Sequence, residues 1–309
     1  MSAAALKRRN ELRAVAAETK AILPQVLDQL KPLDTIASSS HHLRTLQPLR
    51  PENCPIIKLP ATDPEAGRKR TRIRVYDQDT FDAALDLQPG TTITSLTTHP
   101  NPSLEPTSAS EPPPNTEPNT SPSPASIAKP VAVLNLASER RPGGGWLNGA
   151  LAQEEALCFR SSLSLTLHSH YYPIPVLGAI YSPTILLIRN SIVISIAAIR
   201  RPVVGRDGRY AKEGDRKLIK GNIRVVLRIA ASHGHRKLVL GALGCGAFRN
   251  PPEEVASCFL EVFREEEFSG GWWEDVVFAV LDNAREDRGG KDGEGNFGVF
   301  YRALDGVVV

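Results

Sequence analysis

Apolar residues recur near helical spacing through the first segment, where Leu12, Val15, Ala16 and Ile22 predict an amphipathic helix over Leu6 to Leu23, ending before Pro24. From Pro32 to Gly67 the pattern dissolves into proline, serine and histidine with no clear period. Thr71 to Tyr76 predicts a strand, and Asp79 or Thr80 can cap a short helix through Leu87. The stretch NPSLEPTSASEPPPNTEPNTSPSPAS then holds a single leucine. Nothing in it offsets the entropy of ordering, so 98–129 is expected to be a disordered insertion, looping outward from within a domain.

Beyond the insertion, short apolar runs alternate with longer amphipathic ones. Val131 to Leu136 reads as a buried strand, and Leu151 to Leu167 as one helix with an apolar face at Leu151, Leu157, Leu163 and Leu167. Strands are expected at Gly178 to Tyr181, Ile185 to Arg189, Ile192 to Ala197, Lys237 to Leu243 and Val276 to Leu281. Helices are expected over Asp215 to His233, from Pro251-Pro252 through Phe263, and over Gly295 to Leu304; proline is tolerated in a helix's first turn. Strand–helix alternation with fully apolar strands predicts an α/β sheet covered on both faces. The expected organisation is an N-terminal helical extension and irregular segment over 1–70, followed by an α/β domain over 71–309 that carries the 98–129 insertion.

Composition narrows the class. Of 309 residues, 41% are hydrophobic and 23% charged, ordinary values for a globular protein. The net charge of +3 is too small to argue for a nucleic-acid binder, and no direct sequence-specific nucleic-acid binding is expected. The run Arg68, Lys69, Arg70 and Arg72 resembles a nuclear-import signal, although solvated basic patches are commoner. Cys54, Cys158, Cys245 and Cys258 are widely spaced, which indicates neither a disulfide framework nor a zinc site. The polar N-terminus is unlike a secretory signal, and the longest apolar stretch, Ile185 to Ile199, is too short for a bilayer and interrupted by Arg189 and Asn190. An intracellular protein, cytoplasmic or nuclear, with no membrane partner is expected.

Two glycine-rich loops carry the candidate chemistry. PGGGWLNGALAQEE, Pro142 to Glu155, follows the Val131 strand and places Gln153, Glu154 and Glu155 shortly after three glycines. LGALGCGAFRNPP, Leu240 to Pro252, repeats the arrangement at the end of another strand. Glycines let backbone N–H groups approach a phosphate, and loops at the carboxyl ends of strands are where open α/β sheets bind ligands. The sequence fits neither Walker A nor the dinucleotide fingerprint. The plainer readings are a tight turn for the glycines, favourable helix-start charges for the glutamates, and a core aromatic for Phe248.

Together, Asn135-Leu-Ala-Ser138, PGGG with QEE seven residues on, GCGAF-x-NPP and FAVLD resemble a macrodomain, and more narrowly the microbial-type poly(ADP-ribose) glycohydrolases. The resemblance implies a three-layer α/β/α sandwich with a mixed central sheet. It implies poly(ADP-ribose) or ADP-ribosylated protein as substrate and ADP-ribose as product; no metal-ligand set appears in the sequence, so no cofactor or metal is expected. Gly143, Gly144 and Gly145 would line the distal ribose and diphosphate; Gly244, Cys245, Gly246, Ala247 and Phe248 would form the opposite wall. Asn135 and Ser138 would contact the same ribose with Gln153 nearby, and Phe297 would lie toward the adenine. Glu154 would hold ribose hydroxyls, and Glu155 would be the catalytic acid.

The residue types suit glycosidic cleavage, in which the leaving oxygen needs a proton. A carboxyl group can supply it near neutral pH if burial or a neighbouring negative charge raises its pKa, while a helix N-terminus acts in the opposite direction. Adjacent helical residues diverge by about 100°, so the two acids cannot face each other across a sugar. One is better suited to holding hydroxyls, the other to proton transfer and then activation of water. Two further readings stay open: a non-catalytic ADP-ribose reader, and a hydrolase of mono-ADP-ribosylated substrates.

Overall fold

The computed structural model describes residues 3–29, 34–89, 129–187 and 191–309. Seven strands form one mixed sheet: β1 (Ser39–His42), β2 (Ile73–Tyr76), β3 (Ala132–Leu136), β4 (Gly178–Ile185), β5 (Ser191–Ile196), β6 (Lys237–Leu240) and β7 (Asp275–Ala279), in the order β1-β4-β5-β3-β6-β7-β2. The β5-β3-β6-β7-β2 portion is parallel, while β4 runs antiparallel to both β5 and β1.

Alternation along the parallel strands builds two cores. Val75, Leu134, Ile194, Leu240 and Phe278 face α5 (Glu213–Ser232), α6 (Pro252–Phe263) and α7 (Asn296–Leu304). Val133, Val193, Val239 and Val277 face the other way, with Ala16 of α1 (Ala3–Asp28), Phe81 of α2 (Thr80–Leu87), Leu157 of α3 (Gln153–Arg160) and Leu163 of α4 (Leu163–Thr166). The expected three-layer α/β/α arrangement around a mixed sheet is therefore present.

Several local expectations are corrected. The first helix does not end before Pro24 but carries it inside α1 and continues to Asp28. Ala16 and Leu23 are buried, and such packing outweighs one lost internal hydrogen bond. Pro32 to Gly67 contains β1, whose sequence SSHH has no apolar alternation to reveal it. The single helix over Leu151 to Leu167 is in fact α3 and α4, separated by Ser161 in an extended conformation. The Ser161 hydroxyl donates to the Leu157 carbonyl at 2.7 Å, and the Ser162 N–H turns to the Leu186 carbonyl at 2.7 Å, so serine and sheet partners displace the helical pattern. Leu151 is exposed rather than on a core face. In place of two strands at Gly178 to Tyr181 and Ile185 to Arg189, β4 runs continuously to Ile185, with a register shift around Pro183, where no ladder N–H is available. The strand at Lys237 stops at Leu240 rather than Leu243, and that at Val276 stops before Leu281. The insertion expected at 98–129 lies, but for Lys129, outside the described residues, as does Arg189.

The irregular chain before β2 is pinned at Gly271. This residue has φ +97°, and an added Cβ would collide with the backbone of Ile57, whose N–H donates to the Gly271 carbonyl at 2.8 Å. Gly271→Ala is therefore expected to destabilise the protein by about 2 kcal/mol or more, from the left-handed backbone and the displaced contact. Ligand affinity should be unchanged, because the site lies elsewhere; denaturant titration with binding calorimetry checks both.

Candidate active site

The sheet opens where β3 and β6 part. Their pairing covers only Ala132 and Val133, opposite Leu238 and Val239. The Ala137 N–H bonds the Ile196 carbonyl of β5, so the alternate groups of Leu134 and Leu136 point toward the β6 side. The Gln153 side chain satisfies them: Oε1 accepts from the Leu136 N–H at 2.8 Å, and Nε2 donates to the Leu134 carbonyl at 2.7 Å and to Thr80 Oγ1 at 3.2 Å. One amide thus seals the cleft floor and ties the start of α3 to α2.

Glu154 and Glu155 follow in the first turn of α3, with relative exposures of only 2% and 8%. Glu154 Oε2 accepts from the Ser138 N–H at 2.8 Å, and Asn135 Nδ2 approaches Oε1 at 3.5 Å. Asn135 in turn donates to Ser195 Oγ at 3.0 Å, its register partner on β5. Burial pushes the Glu154 carboxyl up to about 8, helped by the neighbouring Glu155 and opposed by the Ser138, Asn135 and Gly143 donors. Glu155 is held differently, with Oε1 accepting from Gly145 N–H at 2.9 Å and Oε2 from Ala152 N–H at 3.0 Å.

The triple glycine therefore wraps the protein's own carboxylates. Gly143 and Gly144 adopt φ +68° and +58°. A Cβ on Gly144 would collide with Glu155 Oε1 and stand 3.0 Å from Glu154 Oε2; one on Gly143 would strike the Trp146 ring. Trp146, bulky in the sequence, is buried edge-on against Phe159 at 6.1 Å. Cys158 packs behind Gly143, its thiol pushed up by burial and by both glutamates.

The second loop forms the opposite wall. Gly244 has φ +74°, and a Cβ there would collide with Asn250 Nδ2 and come within about 2.5 Å of Ala198. Buried Asn250 donates to the carbonyls of Ile199 at 2.7 Å and Gly244 at 3.1 Å, and accepts from the Tyr210 hydroxyl at 2.8 Å. Between the walls lies a cleft of about 640 Å³.

Among the residues singled out in the sequence, Ser138, Gln153, Glu154, Glu155, Gly244, Gly246, Ala247 and Phe248 line this cleft together. The rest are placed otherwise. Gly143, Gly144 and Gly145 stand behind the glutamates, and fully buried Asn135 lies beneath Glu154. Cys245 is buried under its loop, with Sγ 3.7 Å from the Leu243 carbonyl. Phe297 does not reach the cleft: α7 turns it into the core beside Tyr301, and Asn296 at the helix start lines the cleft instead. Thr80, Leu281 and Asn283, which follow β2 and β7, and Asn296 at the start of α7 were not legible as site residues, because nothing local in the sequence brings these segments together. Asn250 was visible within the NPP signature, but its cross-loop bonds were not.

These features define a macrodomain-like α/β/α protein with a buried carboxylate pair at its cleft. The family model for the microbial-type PARG catalytic domain matches residues 34–190, and the chain belongs to that family of poly(ADP-ribose) glycohydrolases. The fold is similar to the poly(ADP-ribose) glycohydrolase of Thermomonospora curvata, with 26% identity over 95% of this chain and 99% of that one, and a TM-score of 0.65. The same enzyme bound to the inhibitor ADP-HPD aligns with 26% identity, the same coverage and a TM-score of 0.64. The Deinococcus radiodurans enzyme in complex with ADP-ribose aligns with 26% identity over 87% of this chain and 95% of that one, at a TM-score of 0.59. Comparison with curated proteins yields no match. Among the described residues, no helix is long and apolar enough to cross a membrane, and no group of three or more His, Cys, Asp or Glu is placed to hold a metal.

The raised pKa of Glu154 makes stability pH-dependent. Between its ordinary value near 4.5 and about 8 the folded state keeps a proton that the unfolded state releases. Its contribution is therefore fully present below 4.5 and is lost as pH rises toward 8. Glu154→Gln, neutral throughout, should melt near wild type at pH 4.5 and progressively above it toward pH 8; calorimetry across that range checks this. Gly144→Ala should displace the Glu155 carboxylate and lower kcat on the order of 100-fold, as a small misplacement of a reacting group can, with the effect read by steady-state kinetics.

Proposed function

We propose that the cleft receives one ADP-ribose unit of poly(ADP-ribose) with its distal ribose at Glu154 and Glu155, and that cleavage of the ribose–ribose O-glycosidic bond, from chain ends, releases ADP-ribose. The observation that carries this reading is the paired burial of the two acids, each fixed by separate backbone donors at the wall of an elongated cleft. A binding module has no need to hold two carboxylates out of water.

Glu155 is assigned as the proton donor. Of the two acids it is slightly the less enclosed, and two backbone N–H groups fix its orientation. It protonates the departing oxygen as the C–O bond breaks, leaving an oxocarbenium-like ribose; the resulting carboxylate then takes a proton from the attacking water. Glu154, with Ser138 and Asn135 behind it, holds the ribose hydroxyls. The substrate's own diphosphate stabilises the cation. Four free cysteines suit a reducing intracellular compartment, cytoplasmic or nuclear.

A second assignment follows from one observation, the pKa of about 8 on Glu154. A carboxyl raised that far by burial carries a proton at neutral pH, and Glu154 as proton donor would reverse the roles. Product release from polymer, with calorimetry on ADP-ribose, separates the two. Glu155→Gln is expected to abolish turnover, by 1,000-fold or more on the order of general acid catalysis, while retaining ADP-ribose affinity; Glu154→Gln is expected to weaken affinity. The opposite pattern reverses the roles, and wild-type protein that binds ADP-ribose without cleaving polymer favours a reader. Activity confined to mono-modified protein would favour the narrower hydrolase.

A further inference from the structure

Three loops meet at the acid-bearing end of the cleft, and their charge is lopsided. Segments 138–141, 199–202 and 246–250 together carry Arg140, Arg141, Arg200, Arg201 and Arg249 against a single acid, Glu139. All five arginines are exposed. The loops are joined in space: the Glu139 carboxylate lies 3.1 Å from Arg140 and 3.7 Å from Arg200, and the Arg201 N–H donates to the Phe248 carbonyl at 2.7 Å. Several arginines elsewhere are matched by carboxylates, Arg216 with Glu254 and Glu261, Arg224 with Glu265, Arg228 with Glu267 and Arg160 with Asp79 and Asp82. Among the described residues, scattered ones such as Arg44, Arg50 and Arg264 are not; what sets this rim apart is five arginines on three adjoining loops. Arg141, Arg201 and Arg249 have no carboxylate partner among the described residues.

The backbone adds an independent observation. Arg201 and Arg249 adopt φ +50° and +56°, a left-handed conformation that glycine takes at less cost. Holding arginine at two such positions on one rim points to a use for the side chains rather than for the turn.

Sheet order says which part of a substrate would meet them. The cleft runs across the strand ends from β5 and β3 toward β7, with Asn283 and Asn296 at the far end and the acids on the β3 side. With one ADP-ribose unit lying along the cleft and its ribose at the acids, the rest of the polymer departs past Ser138 and Phe248. It carries a diphosphate in every unit, and the guanidinium fork matches phosphate oxygens.

We propose that Arg140, Arg141, Arg200, Arg201 and Arg249 form a binding rim for the polymer's phosphates on the leaving-group side of the scissile bond. The proposal rests on the reading of the cleft given above. It makes the rim a determinant of preference for polymer over single ADP-ribose units, acting through KM and not through the chemical step.

The test pairs two variants. Arg201→Gly with Arg249→Gly removes two charges where glycine suits the backbone, so folding is preserved; Arg140→Ala with Arg200→Ala removes two others. Each pair is expected to raise KM for long polymer on the order of tenfold at about 50 mM salt and to flatten the salt dependence of log KM by about 1 to 2, as loss of phosphate contacts does. Affinity for free ADP-ribose and kcat should not change. Unchanged KM and salt slope in both pairs would overturn the proposal, as would an equal loss of affinity for free ADP-ribose. If the wild type fails to cleave polymer, the glycohydrolase reading falls separately. Polymer binding by fluorescence anisotropy then decides the rim: a tenfold loss in the variants supports it and unchanged binding rejects it.

Discussion

Two carboxylates stand side by side, largely out of water, in the first turn of a short helix, and the surrounding architecture compensates for their desolvation. The Ser138 amide and Asn135 serve Glu154, while the amides of Gly145 and Ala152 serve Glu155. The carboxylates can sit against this loop because Gly144 has no side chain, and the Trp146 ring packs against Gly143. The two acids are held differently. Burial leaves Glu154 with a pKa near 8 despite the Ser138, Asn135 and Gly143 donors, and both oxygens of Glu155 accept main-chain hydrogen bonds. The division of roles proposed for these two identical neighbouring residues rests on that difference in environment.

The cleft exists because a sheet ladder is interrupted at a chosen point. β3 and β6 separate after two paired residues, and the Gln153 amide replaces the missing sheet partners. A ligand space is obtained without leaving buried backbone groups unpaired. On the far wall Asn250 does similar work, bonding two carbonyls from different loops. Both amides are structural components of the site, satisfied by backbone groups on either wall.

Much of this was legible locally. Val131 to Leu136, the glycine loops, the QEE triplet and the helix at Asp215 declared themselves through apolar runs, turn residues and charge at helix starts. The parts that were not legible share a cause. SSHH makes a strand only because the β4 edge is available to pair with it. Ser161 breaks a helix because the chain at Leu186 and Leu187 offers partners. Phe297 reads like a ligand aromatic, yet the orientation of α7 buries it beside Tyr301.

By itself the sequence determined the alternating α/β architecture, the two loops and the family, since periodicity and motif spacing are properties of neighbouring residues. Only the tertiary structure decided what the glycines touch. Here the fold aims the N–H of Gly143 at Glu154 and that of Gly145 at Glu155, while the Gly144 N–H turns back to the Arg141 carbonyl. The same holds for the arginine rim, whose members come from three loops brought together by the order of strands in the sheet. Direction and proximity across the sheet depend on packing between distant segments, and no local pattern encodes them.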